Sequence, residues 1–490
     1  MASGPNVVLI CVDQWRGDAL GCDGHPFAMT PHLDHLAGDG TRFAKTYSAT
    51  PSCIASRAAL YTGLSQTSTR RVGYRDGVPW DIDRTIASEF TANGYQTQAI
   101  GKLHVFPERS QIGFQNVILH DGYLHFARKK PRDPGFIDDY IPWLREKTGD
   151  PRADYFDNGL NCNSQVARPW DKDEALHPTT WVVTEAIDFL RRRDPSKPFF
   201  LYLGFHRPHP PYDPPAWAFE QYLNVEMPSP PYGDWASEVL EPYNDGWRAD
   251  PNVAMLSRHA LQRARAGYFG HITHIDLQIN RFLETLAEHD LRESTVICFV
   301  SDHGEMLGDH GAFRKVLPYE GSARVPMILQ GPGIPRQIVV GDAVAEMRDV
   351  MPTLLDAAGL PIPEGLDGKS LLPVAEAARQ VAQSESADKS AHSIWREHLH
   401  GEHTAFGQSV QWITDGRFKY VWWSGTGREQ LFDLAEDPQE LHDLRESAEV
   451  EKWRAVLIKE LAGREEAFVQ DGKLVTGQPV SALLSHPRRG

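Results

Sequence analysis

The run Asn6–Val12 (NVVLICV) is apolar at every position after the first, with no polar alternation. A strand that is apolar on both faces needs a cover on both, which places this segment inside a sheet sandwiched by helices. Runs of the same kind recur at Gln98–Gly101, Pro198–Gly204, Thr295–Ser301 and Val325–Gln330. Between them lie helical stretches such as His271–His289, where Ile272, Ile275, Ile279, Phe282, Leu283 and Leu286 keep a period near 3.6. This alternation predicts an α/β fold around a large, mostly parallel sheet. A chain of 490 residues exceeds one small core. Residues 1–375 read as the α/β domain, and residues 376–490 as a linker with a C-terminal α+β subdomain. In the latter, Glu376–Ser393 is rich in Ala, Ser, Gln and charge and reads as a linker or exposed helix. Ser409–Ile413 and Phe418–Trp423 read as strands of a small antiparallel sheet, and Glu449–Leu461 as a helix with Trp453, Leu457 and Leu461 in line.

Open α/β sheets take their ligands at the carboxyl ends of the strands. Two of the apolar runs end there on acids, one in Asp13-Gln14 and the other in Asp302-His303. If those strands are neighbours, the four side chains converge as an oxygen-rich set suited to a hard cation. Cys53, in PSCIASRAAL, precedes a helical stretch. A thiol at a helix N-terminus feels the positive end of the dipole, although a Cys among small residues is also an ordinary buried hydrophobe. Lys and Arg number 50 against 66 Asp and Glu, a formal charge of −16, which repels polyanions and argues against a nucleic-acid partner. An anionic small substrate would need a local cluster of cations. No apolar run approaches the roughly 20 residues that span a bilayer, and MASGPNVVLICVDQW lacks the basic start of a signal peptide. The five scattered cysteines, without CxxC spacing, indicate neither a disulfide framework nor a structural zinc site. The expectation is a reduced, cytoplasmic protein with no membrane partner.

The spacing Cys53-Ile54-Ala55-Ser56-Arg57 fits C-x-[PA]-x-R, the signal by which sulfatases have their cysteine oxidised to formylglycine. With it the chain resembles the sulfatase family of the alkaline phosphatase superfamily. The segments VDQWRGDALGC, GKLH at 101–104, HRPHPPYDPP at 206–215, SDHGEMLGDHG at 301–311 and RKVLPYEGSARVP at 314–326 follow in family order. DGRFKYV and LFDLAEDPQELHDL resemble the family's C-terminal subdomain.

The resemblance implies an alkaline-phosphatase-like fold and hydrolysis of aryl or sugar sulfate esters. It implies a maturation enzyme that generates formylglycine at position 53, and one divalent cation surrounded by Asp13, Gln14, residue 53, Asp302 and His303. A mainly oxygen set favours Ca²⁺, with Mn²⁺ or Mg²⁺ behind it. Lys102 and Lys315 match the sulfate-contacting lysines, and Arg57 the arginine that holds the formylglycine loop. His104 and His209 match the two active-site histidines, the first as base for the second hydroxyl of the hydrated aldehyde, the second as acid for the leaving alcohol. His206 is given no role.

The chain departs from the commonest pattern at Gln14, where many members have Asp, and at His303, where many have Asn. It also has Ala55 where Pro is common and Ser52 where a hydrophobic residue is usual. The Asp13-Gln14 pair keeps open a phosphonate monoester or phosphodiester hydrolase of the same superfamily, whereas the Lys-x-His of GKLH favours a sulfatase. A non-catalytic binder of sulfated glycans is a third reading, opposed by the intact set Cys53, Arg57, Lys102, His104, His209 and Lys315. The stretch WREHLHGEH (395–403) lacks the HExxH spacing of a zinc protease and reads as a polar border of the pocket. The alcohol half of the substrate and the oligomeric state have no sequence signal.

Overall fold

The computed structural model describes residues 4–122, 133–155, 157–383 and 394–485. Asn6–Asp13 forms strand β1, buried from Val7 onward. Val8, Ile10 and Val12 enter one apolar cluster, while Val7, Leu9 and Cys11 enter another. Successive side chains of a strand point to opposite faces, so the unbroken apolar run becomes two cores with the sheet between them. The other strands of this sheet are β2 (Thr41–Phe43), β3 (Gln96–Gly101), β4 (Asn116–Leu119), β5 (Phe199–Pro208), β6 (Thr295–Ser301), β7 (Met327–Gln330) and β8 (Ile338–Val340). They lie in the order β8-β2-β7-β6-β1-β5-β3-β4.

Helices cover both faces. Those used below are α1 (Cys53–Thr62), α2 (Pro178–Arg192), α3 (Arg258–Glu288), α4 (Val350–Ala357) and α5 (Leu372–Gln383). Trp181, Val183 and Leu190 of α2 and Ile272, Ile275 and Ile279 of α3 fill the first core. Leu60 and Tyr61 of α1, Met351 and Leu354 of α4 and Val374 of α5 fill the second. The periodic run His271–His289 is the rear part of the 31-residue α3, which starts earlier on an N-cap where Ser257 accepts from the Ala260 N–H. Its front, around Arg258–Arg265, is too polar to show the period.

One expected strand is two. Val325–Gln330 divides at Pro326, which has no N–H to give a ladder. Arg324–Val325 joins a separate small sheet beside Thr46–Tyr47, and β7 joins the large sheet antiparallel to both β2 and β6. All other pairings in the large sheet are parallel.

The register decides where the chemistry can be. Strands β6, β1, β5 and β3 are consecutive and parallel, with Val12 opposite Ser301, Asp13 opposite Pro208 and Gly101 opposite Gly204. Four carboxyl ends therefore open on one edge, delivering Asp302-His303, Asp13-Gln14, the turn to His209, and Lys102 with His104.

Strands β9 (Leu399–Ala405), β10 (Gln408–Thr414), β11 (Phe418–Trp423) and β12 (Glu429–Asp433) form an antiparallel sheet in sequence order. Helix α6 (Glu449–Leu461) covers one face through Val450, Trp453 and Leu457, against Ile413, Tyr420 and Trp422. The other face, with Leu399, Val410 and Trp412, packs on Tyr47, Leu317 and Tyr319 and so shares a core with the large domain. Of the stretch Glu376–Ser393, the part up to Gln383 belongs to α5, and residues 384–393 lie outside the described residues. No helix among the described residues is long and apolar enough to cross a membrane. All five cysteines are unpaired.

Candidate active site

Cys53 is the first residue of α1, and extended backbone at Ser52 leads into it. Its Sγ lies 3.2 Å from His303 Nε2, 3.7 Å from Asp13 Oδ1 and 3.3 Å from Lys315 Nζ. Asp13, Cys53, Asp302 and His303 are all buried and bring one potential ligand atom each within 4.8 Å of the others. Gln14, at φ 74°, follows directly, and its Oε1 accepts from Lys315 Nζ at 3.2 Å. Two carboxylates, an amide oxygen and one imidazole form a donor set suited to a hard divalent cation softened by a single nitrogen.

The surrounding cations are built in. Arg57, one turn after Cys53 on α1, donates from Nε to Asp302 Oδ2 at 2.8 Å, and its Nη2 stands 3.6 Å from Asp13 Oδ2. Its Nη1 donates to the Lys102 carbonyl at 3.0 Å and to the Tyr202 hydroxyl at 2.7 Å, fastening α1 to the end of β3. Lys102 pairs with the Asp13 carboxylate. Burial alone would raise the Asp13 carboxyl, but the charges of Lys102, Lys315 and His303 outweigh it and hold it well below the usual range. Burial and Asp13 likewise push the Cys53 thiol up, and Lys315, Lys102 and His303 bring it below its ordinary value.

His104 has φ 59°, and its backbone N–H donates to Asp121 Oδ1 at 2.8 Å; the N–H of Leu103 donates to the same oxygen at 2.9 Å. That carboxylate holds a turn that a non-glycine residue would not adopt unaided. The N–H of His209 donates to the Asp13 carbonyl at 3.1 Å, tying the end of β5 to that of β1. His209 Nδ1 lies 2.9 Å from the Pro210 carbonyl, an acceptor, so Nδ1 carries the proton. Burial, reinforced by Lys315 and Lys102, holds this imidazole neutral. The His206 ring lies tilted at 45° to that of His209, with centroids 5.2 Å apart, and its Nδ1 faces Arg207.

Comparison with known proteins turns this geometry into an identity. The sequence profile of the sulfatase family matches residues 5–360. The chain belongs to the sulfatase family. A second profile, N-sulphoglucosamine sulphohydrolase, C-terminal, matches residues 308–467. The chain is 50% identical to an arylsulfatase of Clostridium perfringens, over 98% of this chain and 99% of the relative. It is 29% identical to arylsulfatase K of Rattus norvegicus, over 91% of this chain and 75% of that protein. Among solved structures it resembles the phosphonate monoester hydrolase of Agrobacterium radiobacter, with a TM-score of 0.74 and 25% identity over 97% of this chain and 100% of the other.

Several residues of this cluster have no signal of their own in the sequence. Tyr202 sits mid-strand between apolar neighbours, yet its hydroxyl donates to the Lys102 carbonyl at 3.0 Å and accepts from Arg57 and Tyr61. Asp121 and Glu305 are buried acids whose partners are distant in sequence or backbone N–H groups. In WREHLHGEH, the Glu402 N–H donates to the Ala49 carbonyl at 2.8 Å, so the stretch contacts the segment that leads to Cys53 four residues later. Glu402 itself is structural, held by Arg464 through two bonds of 2.7 Å. The adjacent His403 is buried, and desolvation pushes its imidazole down to about 3, keeping it neutral. His177, Asp213 and His271 form a second converging cluster. There Asp213 is engaged by Arg207 at 2.9 and 3.1 Å, and His271 Nε2 accepts the Asp213 N–H at 3.0 Å. These bonds engage the Asp213 carboxylate and His271 Nε2, and they brace the segment after β5 that carries His209.

Proposed function

We propose that this sulfatase hydrolyses aryl and sugar sulfate esters to an alcohol and inorganic sulfate, using formylglycine made from Cys53 by a separate maturation enzyme that supplies the oxidant. One observation carries the reading. The cysteine of a C-x-A-x-R motif stands at a helix N-terminus, buried among Asp13, Asp302 and His303 with Lys315 at 3.3 Å. The ion would be held by Asp13, Gln14, residue 53, Asp302 and His303, with Ca²⁺ the best match to the donors. When bound, it supplies Lewis acidity at a hydroxyl of the hydrated aldehyde and counter-charge for the sulfuryl oxygens.

The chain's own groups do the rest. Lys102 and Lys315 hold the sulfuryl oxygens where negative charge develops. Arg57 fixes Asp302 and the start of α1, so that residue 53 stays aimed at the sulfur. A bound sulfate ester brings negative charge that offsets Lys315 and Lys102 and favours the His209 imidazolium. One hydroxyl of the hydrated residue 53 first loses its proton to water; its oxygen then bonds to sulfur as the S–O bond to the alcohol breaks and His209 gives its Nε2 proton to the departing ester oxygen. His104 takes the proton of the remaining hydroxyl, the C–O bond to sulfate breaks, and the aldehyde returns. A serine or an unmodified cysteine lacks that second hydroxyl.

A second reading, phosphonate monoester or phosphodiester hydrolysis, is favoured by the Asp13-Gln14 pair at the end of β1 and by the likeness to the Agrobacterium enzyme. The test is kcat/KM for an aryl sulfate, an aryl phosphonate, a bis-aryl phosphate and a panel of sulfated sugars. The expected result is a sulfate ester as the best substrate. A phosphonate or diester turned over faster than every sulfate would replace this reading with the second.

A further inference from the structure

Gln14 offers an amide where many sulfatases have a carboxylate. A carboxylate presents an oxygen whichever way it turns, whereas an amide presents either an acceptor or a donor. Turned the wrong way, its NH₂ would face the cation position and the ammonium of Lys315, both of which repel a donor. Something must therefore fix the amide.

Glu305 supplies that constraint. Glu305 is fully buried, and its Oε2 accepts from Gln14 Nε2. Its Oε1 accepts the backbone N–H of Leu307 at 2.9 Å and that of Arg314. A carboxylate can only accept and the Lys315 ammonium can only donate, so these two neighbours impose the same orientation on the amide independently. The backbone is fixed as well. At φ 74° the Gln14 N–H donates to Asp302 Oδ1 at 3.2 Å, and its carbonyl accepts from the Tyr268 hydroxyl at 2.9 Å.

We propose that Glu305 is the positioning residue that makes Gln14 an oxygen ligand: by accepting the amide N–H it turns Oε1 toward the side where Lys315 and residue 53 lie. The assignment rests on the reading that a divalent cation binds among Asp13, Asp302 and His303. In Glu305→Gln, the new side chain's oxygen remains with the Leu307 and Arg314 N–H groups, which leaves its NH₂ facing Gln14. Gln14 must then flip and present its own NH₂ to the cation. An aspartate at position 14 has no such orientation to lose.

The experiment is a double-mutant cycle read by calorimetric titration of metal-stripped protein with Ca²⁺, repeated with Mn²⁺. Glu305→Gln should weaken binding by about 10- to 100-fold when residue 14 is Gln, the usual cost of losing an outer partner of a ligand. In the Gln14→Asp background the same change should cost less than about threefold, because the coupling between the two positions is gone. If Glu305→Gln does not fold, Glu305→Asp, which keeps the charge but withdraws the oxygen by one methylene, is measured in both backgrounds with the same expectation. Equal losses in the two backgrounds, or no loss beside Gln14, would overturn the assignment. If the unaltered protein takes up neither ion, the metal reading itself falls and this assignment falls with it.

Discussion

Asp302→Ala is expected to remove bound metal and activity together. Its Oδ1 accepts the N–H groups of Gln14 and His303, and its Oδ2 accepts from Arg57 at 2.8 Å. The loss deletes one of only two carboxylates in the ligand set and leaves the guanidinium of Arg57 buried without its closest charge partner. Removing even one preorganised donor to developing charge costs about 10²- to 10³-fold, so a loss of on the order of 10³-fold or more in kcat/KM is expected here. Breaking a buried pair also destabilises by about 3–5 kcal/mol, and the isosteric Asp302→Asn separates the two effects. It should stay folded by circular dichroism, yet carry little metal by elemental mass spectrometry and show the same kinetic loss. Normal turnover by a metal-free preparation would refute the ligand set.

His209→Ala should discriminate between leaving groups. An activated phenol departs as a stable anion and needs little protonation, whereas a sugar alkoxide leaves poorly without an acid. General acid catalysis is worth about 10²- to 10⁴-fold, and the loss should approach the upper end for alkyl or sugar sulfates and shrink for nitrophenyl sulfate. Lys102→Ala should harm all substrates alike, because it acts on the sulfuryl group they share. The measurement is kcat/KM for both variants across aryl sulfates of graded phenol pKa. A His209→Ala loss that is the same for every leaving group would take this residue out of the acid role.

The elements that were legible in the sequence are those whose environment is uniform along their length. Strand β6 runs Thr295–Ser301 as its apolar pattern predicts, and α6 runs Glu449–Leu461, because burial on two faces or along one stripe leaves a clear period. Strands β2 and β8, three residues each at the far side of the sheet, are too short to leave one. Val325–Gln330 misled because hydrophobicity is continuous across Pro326 while hydrogen bonding is not.

The site divides along the same line. Asp13, Gln14, Lys102, Asp302 and His303 follow strand ends, and adjacency of four parallel strands is enough to gather them. Cys53 and Arg57 are linked by helical spacing within a motif. Glu305, Asp121 and Tyr202 act by orienting other groups, through bonds to partners far away in sequence or to backbone atoms, and composition carries no trace of orientation. The role of Gln14 depends on which way its amide points, which only its neighbours Glu305 and Lys315 decide.

In the proposed mechanism, position 53 works as an aldehyde. Its most direct test is mass analysis of the tryptic peptide spanning residues 46–57, taken from active protein made in a host that oxidises such cysteines. An aldehyde at position 53 requires formylglycine in that peptide, in a fraction that rises and falls with specific activity across preparations and is limited by Ala55 and Ser52. Full activity in protein whose position 53 is entirely thiol would contradict it.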